Sequence, residues 1–521
     1  MNLSASGRFL LHSIDSEEKK LQKEETEVNP LVSEVATWYE NLRNAMEYQE
    51  EEMILRAAIG RILRRRLVLT KKGEPIAEPL IRELIWAKYF PENTIPKRLI
   101  QDVEKKINLY LHLRELIYQK NKLSRGTTDE WINQLLSADI ENILNPSPTK
   151  ELLISFIFKI FRSKVTSSEE LSETKDAQVY IAIRKAFAKE DLSMLRFAMF
   201  RQIYGELNQK NVEYIGEKFS DGYKEINAQL NHPLKDTMHA YIKRYMPPFL
   251  ILQQIFEEKR GEVQKLVLKD EDFEAAILRT CTTKYKDISK KISTAVVRSI
   301  IFVLLTKAIL ALFFESTFER LLYGHVNWYA IGINIASAPF LMFVTTLFIS
   351  SPNKKNSFQI SELIKNVLTE ENPSLIRSMH FDVKSAKHKG SFILIYSFLW
   401  LLALALGILA INMLLNVFQF SVVSKFVFVF FLALVSFMCY RISQIPRKYI
   451  LQKERQGIRS LLFDFFFVPF IQLGKTLTIG ISQINIFLFI FDYLIEAPFK
   501  QMFGFIEQWF FFLRSQRESI D

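Results

Sequence analysis

The stretch Ser391–Ser424, SFILIYSFLWLLALALGILAINMLLNVFQFSVVS, contains no Asp, Glu, Lys or Arg in 34 residues. That is too long for one straight crossing of about 30 Å of hydrocarbon, which takes roughly 20 helical residues. One lysine, Lys425, separates it from a further apolar run to Tyr440. The pattern reads as two spans, about Ser391–Ile411 and Val422–Tyr440, with Asn412, Asn416 and Gln419 in the turn between. Hydrocarbon offers backbone N–H and C=O groups no partners, so such segments form helices.

Two more segments have the same character. One runs from about Ala295 to Phe314, the other from Val326 to Ser350 within a charge-free run that lasts until Lys354. Orientation follows from Lys and Arg in the short loops. The links Glu315–His325 and 412–425 hold one basic residue each, Arg320 and Lys425. The segment 351–390 holds seven, and the stretch after the fourth span holds six by Arg459. Lys284, Lys286, Lys290 and Lys291 precede the first span. Four spans put every basic segment on one side, so both termini are expected in the cytoplasm. The expected location is the inner or plasma membrane.

Hydrophobic residues make up 49% of the 521, but unevenly: the first 290 residues are dense in charge, and many of the 44 Phe come later. The formal charge of +11 is accounted for by loop topology and anionic lipid headgroups, which disfavours nucleic acid as the partner. Two cysteines, Cys281 and Cys439, exclude a disulfide framework and a paired-cysteine zinc site. The N-terminus carries no signal-peptide pattern, so the first span is expected to act as its own insertion signal.

The expected fold is all-α. Residues 1–30 read as a mobile tail and 31–285 as a cytoplasmic helical domain. Residues 286–440 form the transmembrane region with a cytoplasmic loop at 351–390, and 441–457 a basic linker. In the domain, Val32, Val35, Trp38, Leu42 and Met46 recur at helical spacing. Pro96, Pro148 and Pro233 mark helix starts, Thr128 opens another helix before Asp129 and Glu130, and Pro247-Pro248 breaks one. Leu152–Phe161 is apolar but short and holds Lys159, which predicts a buried core helix. Gly332 with Ala336, and Ala403 with Gly407, are small pairs suited to close helix packing.

The tail 458–521 is rich in Phe, yet Asn485, Asp492, Glu496, Lys500, Glu507 and Arg514 recur on one helical stripe. That predicts amphipathic helices along the cytoplasmic membrane surface, with a short fifth span at Thr476–Phe491 as the alternative.

Catalytic signatures are missing. The closest glycines lie six apart, as at Gly216/Gly222, so neither a Walker A loop nor a dinucleotide fingerprint exists in standard form. The seven histidines are scattered and no Gly-x-Ser-x-Gly elbow occurs. No enzyme activity, cofactor, metal or catalytic residue is expected. Two features remain as candidates. Lys307 sits near the middle of the first span, where a charge is a site hypothesis by default, with Glu315, Asp464 or Asp492 as partner or snorkelling as the bland account. Arg61, Arg64, Arg65 and Arg66 would either contact anionic lipid or form a solvated, acid-paired helix face.

The segments Asn44–Leu67 (NAMEYQEEEMILRAAIGRILRRRL) and Phe491–Phe499 (FDYLIEAPF) resemble parts of uncharacterised multi-pass membrane proteins of bacteria. No activity comes with that resemblance. The pattern supports a membrane-anchored interaction or scaffold protein that works through a protein partner or as a homo-oligomer. The alternative is a channel or secondary-transporter subunit that uses the intramembrane lysine.

Overall fold

The computed structural model describes residues 3–16, 53–69, 75–451 (apart from 92, 93, 121, 168–171, 260, 348, 350 and 382–388), 458–482 and 509. The chain is all-α, with two three-residue strands, Val165–Ser167 and Met379–Phe381, among the described residues. The described residues divide into two compact units, one within residues 9–243 and the other made of residues 3–8 with 244–482.

The first unit holds α2 (Ile54–Leu69), α3 (Ala77–Trp86), α4 (Lys97–Lys120), α5 (Arg125–Leu144), α6 (Pro148–Lys164), α7 (Ser172–Ala186), α8 (Leu192–Tyr204), α9 (Val212–Leu230) and α10 (Lys235–Lys243). Helix α1 (Ala5–Ser16) straddles the division. Helix α5 is the centre, packed by α2, α4 and α8. Its Trp131 stacks edge-on against Phe219 at 6.1 Å and lies under the Arg196 guanidinium at 4.5 Å. Helix α5 begins three residues before Thr128, because Ser124 caps it by accepting the Thr127 N–H at 3.2 Å. Pro148 takes the first position of α6, whose Leu153, Ile154, Ile157 and Phe161 are buried as the short apolar run implied.

The second unit holds α11 (Met246–Glu258), α12 (Val263–Leu268) and α13 (Asp270–Leu310), then a π-helical turn at Ala311–Glu315 and α14 (Ser316–Tyr323). There follow α15 (Trp328–Thr346), α16 (Lys354–Thr369), α17 (Lys389–Val417), α18 (Val422–Arg447) and α19 (Ile458–Ser482). Among the described residues, four helical segments are long and apolar enough to cross a membrane: Asp270–Tyr323, Trp328–Thr346, Ser397–Val417 and Val422–Arg447. The first has 54 residues, about 81 Å at 1.5 Å per residue, so much of its charged N-terminal part extends beyond a hydrocarbon layer. Large apolar side chains such as Ile301, Phe302, Phe313, Phe398 and Met413 face outward, as contact with lipid requires.

The ends of the spans gather in two sets. Asn356, between the second and third spans, donates from Nδ2 to the Tyr285 hydroxyl (2.7 Å) and the Tyr449 carbonyl (2.8 Å). Its Oδ1 accepts the Leu451 N–H at 2.9 Å. The chain before span one, between spans two and three, and after span four therefore meets at one end. At the opposite end, Glu319 accepts from Asn327 N–H and Ser424 Oγ, both at 3.0 Å, joining the two tight links.

Several expectations need correction. The start of the tail expected to be mobile is helical and tied down: Ser4 N–H donates to Leu368 O at 2.9 Å and Ser6 N–H to Glu371 at 2.8 Å. The turn between the third and fourth spans falls at 418–421, with Gln419 at φ 56°, because Asn412 and Asn416 remain in helix α17. Of the small pairs, Gly332 has open space around it, whereas a Cβ on Gly407 would meet the Phe470 ring at 2.9 Å. The polar stripe expected from Asn485 to Arg514 lies outside the described residues.

Candidate functional site

Lys307, Glu315 and Glu319 lie on one continuous helical segment at spacings of eight and four. At about 100° per residue, a plain α-helix would turn Glu319 some 120° away from the Lys307 face. The π turn at Ala311–Glu315 advances less per residue and returns part of that rotation. All three side chains are consequently buried, Lys307 and Glu315 at 0% exposure and Glu319 at 2%.

A polar ladder links them across α13–α14, α15 and α18. Lys307 Nζ donates to Ser337 Oγ at 3.0 Å, and its ammonium sits 5.4 Å and 5.3 Å from the Phe428 and Phe431 ring centres. Such aromatic faces partly replace lost water around a cation. Ser337 Oγ donates to the Asn334 carbonyl at 2.7 Å. Asn334 Nδ2 faces both Glu315 oxygens at 3.0 Å and 3.1 Å, and the Ser424 carbonyl at 3.1 Å. Ser424 Oγ then donates to Glu319. Asn334 Oδ1 is buried with no hydrogen-bond partner.

The sequence singled out Lys307 and Glu315, and the structure brings both into one ladder, bridged by Ser337 and Asn334. Full burial of Lys307 replaces the snorkelling account. Of the other partners considered, Asp492 lies outside the described residues, as does the side-chain placement of Asp464. Sequence reasoning did not place Glu319, Asn334, Ser337 or Ser424 in this site. The available signal was the recurrence of charge at 307, 315 and 319.

The arginine cluster falls on α2 and does not form one outward patch. Arg65 and Arg66 both pair with Glu83 of α3, which is 3% exposed. Arg61 is half-buried and Arg64 is exposed. Joint contact of all four with lipid headgroups is not what this arrangement offers, because two of them are directed inward. Elsewhere in this unit Tyr110 OH donates to Asp139 at 3.2 Å, and burial pushes the Asp139 carboxyl up against the opposing pull of Lys106. Burial also pushes Glu141 up to about 7. A surface groove of about 1210 Å³ between α4 and the α8–α9 link is lined by Lys105, Lys106, His112, Glu206, Asn208 and Lys210 among others. Among the described residues, no group of three or more His, Cys, Asp or Glu is placed to hold a metal ion.

Set beside family models, curated proteins and solved structures, the chain matches none of them. Fold and site alone define its class: an all-α membrane protein whose apolar helices share a buried polar ladder.

Proposed function

We propose that this protein is a membrane-anchored interaction protein, in which the spanning helices act as a fixed anchor and the helical unit of residues 9–243 engages a protein partner or a second copy. The observation that supports this reading is the sealing of the polar ladder. Charged groups at membrane depth, which in a carrier would meet a substrate, are spent here on holding three helical segments together. In this reading the helical unit is cytoplasmic, the membrane is the inner or plasma membrane, and the protein catalyses no reaction and takes no cofactor. Exposed Lys286 and Lys290 suit anionic headgroups at the end where Tyr285, Asn356 and Tyr449 meet.

One observation favours the second reading, a channel or transporter subunit. The ladder holds two carboxyl groups against one lysine and leaves Asn334 Oδ1 without a partner. Reconstitution into liposomes with a proton- and ion-flux assay separates the two. The anchor reading expects the same passive leak from wild type and Lys307→Ala. A flux present in wild type and abolished in Lys307→Ala would sink it.

A further inference from the structure

Besides the four long apolar helices found among the described residues, α19 is packed at their depth. A Cβ on Gly474 would meet the Ala433 carbonyl oxygen at 2.1 Å and Phe437 Cβ at 2.9 Å, so α19 touches the backbone of α18 there. One turn earlier, Phe470 lies on Gly407 of α17. Gly407 and Ala433 are near the middles of the third and fourth spans, respectively. Such small-residue contacts are how helices approach each other in lipid.

The linker fixes the direction of α19. Residues 448–457 number ten and reach at most about 36 Å when fully extended. Arg447 lies about 21 Å along α18 from Ala433, and Ile458 about 24 Å along α19 from Gly474. If the two helices ran parallel, the linker would have to bridge about 45 Å, which it cannot. Run antiparallel, they bring Ile458 to within about 3 Å of the level of Arg447. Ser482 then lies about 12 Å beyond Ala433, level with Lys425 at the far end of α18.

We infer that α19 is a fifth membrane-crossing helix, antiparallel to α18, which carries the chain to the membrane face opposite Arg447. This replaces, for residues 458–482, the expectation of a helix lying on the surface. Leu, Ile, Phe and Val supply 14 of its 25 residues, and Arg459 and Asp464 fall within two turns of its start. Lys475 is then its one charge near mid-depth. It is exposed beside Gln472 and Thr476 on a face that lipid alone does not solvate. The basic residues that orient the four spans all lie at or before Arg459, so the inference leaves those four spans in place, but it replaces the expectation that the C-terminal side of the tail lies in the cytoplasm.

Single-cysteine labelling tests it in the full chain, with Cys281 and Cys439 replaced by Ser. Ser460→Cys and Ser482→Cys should react with a membrane-impermeant maleimide added from opposite sides. Reaction of both from the same side overturns the inference. A glycosylation-acceptor sequence inserted after Ser482 or after Arg447 reads the same question with no substitution inside the helices. Exactly one of the two insertions should be modified; modification of both or of neither overturns the inference as well.

Discussion

The two units bury charge in opposite ways. In the helical unit, opposite charges meet directly: Arg65 and Arg66 close on Glu83, and Arg184 pairs with Glu190 at 2.7 Å. In the membrane unit, no ion pair joins Lys307 to Glu315; a serine and an asparagine stand between them. The difference follows from the alternative each charge would otherwise face. A charged segment that unfolds into water returns its arginine to solvent, so the folded pair must be tight and multiply bonded to compensate for desolvation. An inserted helix has no water to return to, and neutral amides and hydroxyls at helix interfaces become the ordinary link.

The sharpest way to break this contrast is to remove the shared acid of the helical unit. Glu83→Ala leaves two guanidinium groups facing a buried void and should destabilise the unit by about 3–5 kcal/mol. Thermal unfolding of the full chain in detergent reads it, and Arg65→Met with Glu83→Leu should recover much of the loss. A change below about 1 kcal/mol for Glu83→Ala would mean that the pair is not desolvated.

Glu141 sharpens the same point, since it is half-buried in this unit with its Oε2 buried and unpartnered. Its folded-state value, about 7, lies above the ordinary 4.5, so the folded chain holds the proton more tightly than the unfolded chain. Its contribution to stability is therefore complete below the ordinary carboxylate range and is lost as pH rises toward 7. Glu141→Gln should raise stability at pH 8 by about 2 kcal/mol and flatten the slope between pH 5 and 8. Parallel pH profiles for the two proteins would count against that assignment.

For the membrane unit the expected effect is smaller. Asn334→Leu removes the link to Glu315 and Ser424, and hydrogen bonds between helices in lipid contribute about 0.6 kcal/mol on average and up to about 1.7. A loss of about 1–2 kcal/mol is expected, read from the denaturant midpoint in micelles. A loss equal to that of Glu83→Ala would erase the contrast.

Much of the membrane unit was legible in the sequence because lipid imposes a blunt filter. A run without charge from Ser391 to Ser424 has few structural alternatives, and loop lysines give the pairing of ends that Asn356 makes visible. The turn at 418–421 was not legible, since Asn412 and Asn416 are as compatible with the last turns of a helix as with a loop. Lys307 stood out as a lone charge. Ser337 and Ser424 did not, because hydroxyls are common in spans and only helix packing selects which of them are used. For α19, the polar stripe further along the tail favoured the surface. What it could not supply was Gly474 against Ala433, a contact between residues 41 positions apart.

The smallest expected effect concerns the arginine run. Helical spacing puts Arg61, Arg64 and Arg65 on neighbouring parts of α2, but it cannot reveal that Glu83, 18 residues past Arg65, turns two of the cluster inward. That leaves Arg64 as the exposed member. An exposed charge away from a specific partner contributes within about 0.5 kcal/mol, so Arg64→Ala should leave the unfolding midpoint nearly unchanged. The more informative measurement compares wild type and Arg64→Ala in nanodiscs of neutral and of anionic lipid, at low and high salt. If the run serves to hold α2 against α3, both proteins should respond identically to lipid charge. A stabilisation by anionic lipid that fades with salt and disappears in Arg64→Ala would restore the headgroup contact, because exposed charges beyond about 8–10 Å are screened while the inward pair with Glu83 is not.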